Sequence, residues 1–298
     1  MKKQSKLALA LLIGFPLVML TSCGGDEPVE KMEEEIETSV NEEEGNKTYY
    51  QIPSPDEMLG FIKESGLEFN GELLNPIENA DKYTIPNRQA LNFGIYSADL
   101  AYTASFEEFD KTIKYFGTTQ KLADQIGISS AFDEALLEKV QGSLDNVDSL
   151  VAVTNDSYFS VVDYLEQNEQ GDKLGIIAVA GWIETVYIVA NSTDYNKDKA
   201  AVERLADQKL TLENLQDYLA KYTDNADVVE LLTVLTGLEE AFASLEEEDS
   251  GSGISLKKKD DGKMVLGGGS SIKITEEQFN AIKNKVSEIR NNIINTEA

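Results

Sequence analysis

Residues 174–190 read LGIIAVAGWIETVYIVA, seventeen positions carrying one charge, Glu184. On a helix, no face of this segment is left polar. A helix that is hydrophobic all round is buried, either at the centre of a bundle or in a bilayer. The run is short for a membrane span, and a carboxylate at mid-span is costly there. Residues 90–104, ALNFGIYSADLAYTA, have the same character, with Asp99 as their one charge. Gly94, Ala98, Gly175 and Gly181 offer backbones that approach closely. The pair predicts two central helices packed on one another.

The surrounding sequence supplies the outer helices. Phe109, Ile113, Phe116, Ala123 and Ile126 recur at steps compatible with one helix face. So do Leu136, Val140, Leu144 and Val147, and later Leu212, Leu215, Leu219 and Tyr222. Val228, Leu231, Leu235, Leu238, Phe242 and Leu245 form another stripe. Spacings of three and four place each set on one side of a helix. Ser54-Pro55-Asp56-Glu57 reads as a cap, a first-turn proline and dipole-matched acids, opening a helical domain over 55–248. Strand-like alternation is nearly absent, so the fold class is all-α, a helical bundle.

An internal echo runs through this domain. Leu122-Ala123-Asp124-Gln125 returns as Leu205-Ala206-Asp207-Gln208, and Asp145-Asn146-Val147-Asp148 as Asp224-Asn225-Ala226-Asp227. The segment with Gly94 and Ser105 matches that with Gly181 and Ser192. Three matches in order predict a duplicated helical unit, about residues 88–169 and 174–248.

Past Glu248 the composition changes. Residues 249–271 hold two glycine-serine stretches around Lys257-Lys258-Lys259-Asp260-Asp261-Gly262-Lys263. Asp-Gly between two short apolar runs signals a β-hairpin. Residues 272–298 predict a last amphipathic helix, with Thr275 and Gln278 as a capping-box pair. Phe279, Ile282, Val286, Ile289 and Ile293 form its seam, which docks on the bundle.

The other end of the chain is an address. Lys2, Lys3 and Lys6 precede fourteen residues from Leu7 to Leu20 with the character of a secretory core. Leu20-Thr21-Ser22-Cys23 resembles the bacterial lipobox, whose cysteine is lipidated and becomes the mature N-terminus. That resemblance implies a signal peptide over 1–22, lipidation at Cys23 and membrane attachment through acyl chains. Gly24, where some lipoproteins have aspartate, implies transfer to the outer membrane. Residues 23–54 follow as a tether, with ten acids between Asp26 and Glu44 and Lys31 their one base. Such a stretch has little to bury and extends by self-repulsion.

Composition removes many function classes. The 298 residues include 54 acids, 26 bases, no histidine and one cysteine, for a formal net charge of −28. Without histidine there is no Ser-His-Asp or Cys-His centre and no His-ligated metal. The charge argues against nucleic acid, whose phosphates need lysine and arginine. Gly267-Gly268-Gly269-Ser270-Ser271 lacks the lysine and spacing of a phosphate loop. Asp145 to Asp148 and Asp224 to Asp227 lack the glycine and final glutamate of a calcium loop, and read as helix caps. No catalytic constellation is legible and no cofactor is implied.

Asp99 and Glu184 are the polar residues that stand out, because carboxylates are rarely buried unpaired. Arg88, Tyr96, Tyr102, Trp182 and Tyr187 lie near them in sequence. Together they predict either a ligand pocket between the central helices or a purely structural set of hydrogen bonds. The segments Gly94 to Tyr102 and Gly181 to Glu184 also resemble a pattern in uncharacterised all-helical lipoproteins of Gram-negative bacteria. The resemblance covers about residues 55–248; it implies an envelope location and a helical fold, and brings no activity. The expectation is a non-enzymatic lipoprotein of the outer membrane whose domain binds an envelope protein. The alternative is a lipoprotein that binds a small molecule or metal at Asp99 and Glu184.

Overall fold

A computed structural model of the chain describes residues 52–53, 59, 61–63, 65–132, 138–139, 142, 147–248, 255–258, 264–267 and 271–295. The chain divides into two units, Met1–Tyr49 and Tyr50–Ala298, and the first lies outside the described residues. The Cys23 segment, the tether up to residue 51 and the predicted cap at Ser54 fall outside them too, as do Leu136, Val140, Leu144, Asp145 and Asn146.

The second unit is an all-α bundle. Its helices are α1 (Pro86–Ser105), α2 (Phe109–Gln125), α3 (Val147–Gln167), α4 (Gly171–Ser192), α5 (Lys199–Ala206), α6 (Gln208–Leu219), α7 (Ala226–Ala243) and α8 (Glu276–Ile294). Helices α1 and α4 are the central pair. Leu91 to Tyr96 are all buried on α1, as are Leu174 to Val186 on α4. On length and composition α4 could cross a membrane, yet 89% of its most apolar window is inside the bundle. It is apolar all round because α1, α3, α5, α6, α7 and α8 enclose it.

The outer stripes behave mostly as their spacing predicts. Leu212, Leu215 and Leu219 are buried on α6, and the whole stripe from Val228 to Leu245 is buried on and just beyond α7. On and just beyond α2, Phe116, Ala123 and Ile126 are buried as predicted, and the buried face also takes in positions the stripe left out. Ile113 is 45% exposed, while Thr112, Tyr115, Thr119 and Leu122 face the core. The threonines enter because their hydroxyls bond backward to their own helix, Thr112 to Glu108 O and Thr119 to Phe116 O, leaving methyl groups to pack.

Asn225 caps α7, accepting from the Asp227 N–H at 2.9 Å. That agrees with reading Asp224 to Asp227 as a cap. The internal echo finds its helices in matching order, and its paired glycines, Gly94 and Gly181, meet where α1 crosses α4. Other parts do not correspond. A shift that pairs the glycines would set Asp99 against Val186, and the second half breaks its middle helix into α5 and α6 at Asp207. Helix order alone does not establish a duplication.

The predicted hairpin is present as β2 (Ser255–Lys258) against β3 (Met264–Gly267), with Leu256 opposite Leu266. A second ladder was not legible: β1 (Glu246–Glu248) pairs with β4 (Ser271–Lys273) and brackets the hairpin. The helical part therefore ends at Ala243 rather than 248. Three consecutive glutamates carry no apolar alternation, so nothing in the sequence marks β1 as a strand.

Helix α8 begins with the predicted capping box and buries the whole predicted seam against the bundle. Gln278 also donates to Ser244 O at 2.6 Å, tying the start of α8 to the end of α7. Thr275→Ala should lower unfolding stability by about 1 kcal/mol, read from the urea midpoint. An unchanged midpoint would mean that the box does not hold α8.

Candidate functional site

The site grows from one cost, that of putting carboxylates inside the bundle. Asp99 on α1 and Glu184 on α4 are both fully buried. Each would be expelled or neutralised without partners. The partner comes from α8. Arg290 donates from Nε to Glu184 Oε2 at 2.8 Å and from Nη2 to Glu184 Oε1 at 2.9 Å, a bidentate pair out of solvent. Nη2 also donates to Leu73 O at 2.8 Å, and the guanidinium lies 4.5 Å over the Tyr187 ring. Both oxygens of Glu184 are therefore engaged by the arginine.

Asp99 has a different environment. Its Oδ2 accepts from the Asn75 backbone N–H at 3.1 Å. As a carboxylate, its Oδ1 would be buried with no donor among the described residues. Glu184 acts on this side chain both as a neighbouring charge and as a hydrogen-bond partner that favours its protonated form. Burial, then the Glu184 charge, hold the Asp99 carboxyl well above the usual carboxylate range, against the pull of Arg290. A protonated Asp99 gives Oδ1 a hydrogen to donate to Glu184, and the orphan oxygen is satisfied. Asp99-H, Glu184⁻ and Arg290⁺ then sum to zero charge in the core.

A second layer surrounds this trio, drawn from residues 70–83 and their contacts. Asn75 donates from Nδ2 to Tyr83 Oη at 3.1 Å and to Asn92 Oδ1 at 3.3 Å. Tyr115 donates to Asn75 O at 3.0 Å, and Tyr96 to Pro76 O at 2.7 Å. A buried irregular segment must pair its backbone groups, and these hydroxyls do so. Burial raises the Tyr96 and Tyr115 phenols, so they remain neutral donors.

The structure thus gathers Asp99, Glu184, Tyr96 and Tyr187, and separates the other predicted residues. Tyr102 lies further along α1, accepting from the Asn70 N–H at 3.0 Å. Trp182 faces away and donates to Gln208 Oε1 on α6 at 2.9 Å. Arg88 corrects the expectation that it would meet the acids. It donates from Nη1 to Asn292 O at 2.8 Å near the surface, capping the end of α8. The cation the acids required was Arg290, 106 positions from Glu184 in sequence. One signal pointed to it. The chain has 23 lysines and only three arginines, and Arg290 follows Val286 by four and precedes Ile293 by three, on the seam side of α8.

Among the described residues, cavities lie elsewhere, and Asp99 and Glu184 do not line the following three. A space of about 20 Å³ between α1, α2 and α3 is lined by Phe93, Leu100, Phe132 and Val161. A depression of about 530 Å³ beside α5 and β4 includes Tyr195, Glu203, Asp207 and Ile272. A groove of about 430 Å³ runs between the start of α1, α7 and α8. Its walls carry Ile85, Leu91, Leu231, Val234, Ile289 and Ile293, with Asp227 and Glu230 beside them. Ile85 is 59% exposed and Val234 37%.

Fold and site define an all-α bundle whose central helices carry a buried acid pair clamped by one arginine of the last helix. Comparison with protein-family models, curated proteins and solved structures gives no match.

Proposed function

We propose that the protein is a non-enzymatic lipoprotein of the outer membrane, anchored through Cys23, whose helical domain binds another envelope protein at the α1–α7–α8 groove. The anchor reading rests on the lipobox-like Leu20-Thr21-Ser22-Cys23 behind a basic start and an apolar run. The groove carries the binding reading. It presents exposed aliphatic side chains where a soluble surface ordinarily places polar ones. Asp227, Glu230 and the overall −28 charge favour a partner whose apolar side chains are flanked by lysine or arginine. The rival idea of a pocket at Asp99 and Glu184 has less support, because Arg290 and Asn75 already engage three of their four oxygens and the two acids line none of the cavities described.

Two measurements test the reading. Cys23→Ala should leave the protein without acyl mass and in the soluble fraction; an unchanged intact mass and membrane fraction would sink the anchor. Native mass spectrometry of the full-length protein, taken from its envelope in mild detergent, should show a stoichiometric protein partner. Val234→Lys combined with Glu230→Lys should remove that partner, since it fills the groove and reverses its charge. A partner retained by the double variant would place the interface elsewhere.

A further inference from the structure

The end of α8 is held by a set of polar contacts in addition to the buried Ile289 and Ile293. The last carbonyls of a helix have no intrahelical donors. Here Arg88 serves Asn292 O, Asn92 serves Ile293 O at 3.2 Å and Tyr83 serves Ile294 O at 3.2 Å. Arg290, one turn earlier, reaches into the core to Glu184 and Leu73. Asn92 and Tyr83 belong to the layer around Asp99 and Arg290 pairs with Glu184, whereas Arg88 caps from near the surface. The acid trio is therefore both the deepest charge cluster described and the fastening point of the last helix.

One arginine cannot neutralise two carboxylates. With Asp99 protonated, the cluster is neutral and Oδ1 has an acceptor. With Asp99 ionised, the core holds one unbalanced negative charge and Oδ1 loses its bond. The groups facing Asp99 leave no other route to neutrality. Among the described residues, Glu184 is an acid already paired, Arg290 is the one cation facing Asp99, and Tyr83, Tyr96, Tyr115 and Tyr187 are phenols that burial keeps neutral. Undocking α8 opens the cluster to water and lets both acids hydrate.

We infer that Asp99 and Glu184 form a proton-binding site that latches α8 to the bundle, and that loss of this proton loosens α8. Ile289, Asn292 and Ile293 of α8 form one wall of the groove, so the same proton controls the groove. That last step rests on the binding reading above; the latch itself does not. The chain has no histidine, and so lacks the side chain that ordinarily titrates between pH 5 and 8. Its proton-binding group is a buried carboxyl instead.

The sign follows from linkage. Asp99 binds its proton more tightly when α8 is docked than when it is exposed. Docking is fully supported below the ordinary carboxylate range and weakens as pH rises through the higher, docked-state value. Across that window one proton leaves per opening, and the opening constant rises about tenfold per pH unit.

Hydrogen–deuterium exchange of the full-length protein, followed by mass spectrometry and corrected for intrinsic rates, reads this directly. In the wild type, opening of α8 should increase with that slope while α4 stays closed. In Asp99→Asn, which keeps an acceptor for Asn75 and gives Glu184 a permanent donor, the slope should vanish. Equal slopes in the two proteins, a flat wild type, or α8 and α4 opening together would each overturn the latch. Infrared spectroscopy with carboxyl-labelled aspartate covers the case in which the variant does not fold. A protonated-acid band should persist above the ordinary carboxylate range in the wild type and fade in step with α8 opening; its absence overturns the proposal. Loss of the native-mass-spectrometry partner with pH reads the groove step separately, so a failure of the binding reading leaves the exchange result interpretable.

Discussion

Replacing Arg290 with methionine should lower unfolding stability by about 3–5 kcal/mol, the usual cost of removing one member of a buried ion pair. The signature is a lower urea midpoint with an unchanged slope. Methionine fills much of the arginine stem's volume, so little of the loss comes from a cavity. What remains is a Glu184 carboxylate at zero exposure with its two hydrogen bonds gone, beside Asp99. Protons relieve that arrangement, so the Arg290→Met defect should shrink as pH falls. Glu184→Gln should respond in the opposite direction. There the guanidinium loses its anion and Asp99 is the acid left to replace it, so the Asp99 carboxyl is drawn down by the arginine. With a lower folded-state value than in the wild type, Asp99 ionises more readily beside the arginine as pH rises, so relative to the wild type the defect is smallest at high pH. The Glu184→Gln defect should therefore grow towards acid. If both variants show the same pH dependence, the trio does not share its charge as described. Glu184→Leu with Arg290→Met should recover much of either loss, since a buried pair replaced whole by apolar groups is often close to neutral.

This charge arrangement also shows where sequence reading reached its limit. Asp99 and Glu184 were legible as anomalies, because each interrupts a segment otherwise without charge. The central position of their helices was legible for the same reason. Their cation was not, since periodicity identifies a face and cannot say which distant helix meets it. Arg290 lies beside the apolar seam of α8, where a long charged side chain ordinarily snorkels to solvent. Only the docking of α8 on α1 and α4 turns it inward. Ile113 went wrong for a related reason: periodicity scores isoleucine as core and threonine as surface, whereas Thr112 and Thr119 satisfy their hydroxyls within α2 and pack as aliphatic groups. Strand β1 was invisible because its pairing with β4 is made by the backbone of three glutamates.

Gly94→Ala should be the most damaging single-methyl change in the bundle, lowering stability by about 3 kcal/mol. A Cβ on Gly94 would lie 2.3 Å from Ile177 O, 2.9 Å from the Ala180 Cβ and 2.9 Å from the Gly181 backbone nitrogen. Two of those three atoms are backbone of α4, so no side-chain rotation clears the space and the central helices must separate. Separation is felt at the acid trio as well, because Asp99 and Glu184 stand further along the same two helices. Gly181→Ala is the control. Its Cβ would meet Gly94 O at 3.3 Å, a contact that a shift of a few tenths of an ångström relieves. Alanine also gains about 1 kcal/mol over glycine within a helix. That gain offsets most of the tight contact, so Gly181→Ala should stay within about 1 kcal/mol of the wild type. Thermal and urea unfolding of the two variants side by side decides the matter. Equal losses would mean that the crossing is symmetric and looser than described, and that the close approach of α1 and α4 is not what fixes the geometry of the buried acids.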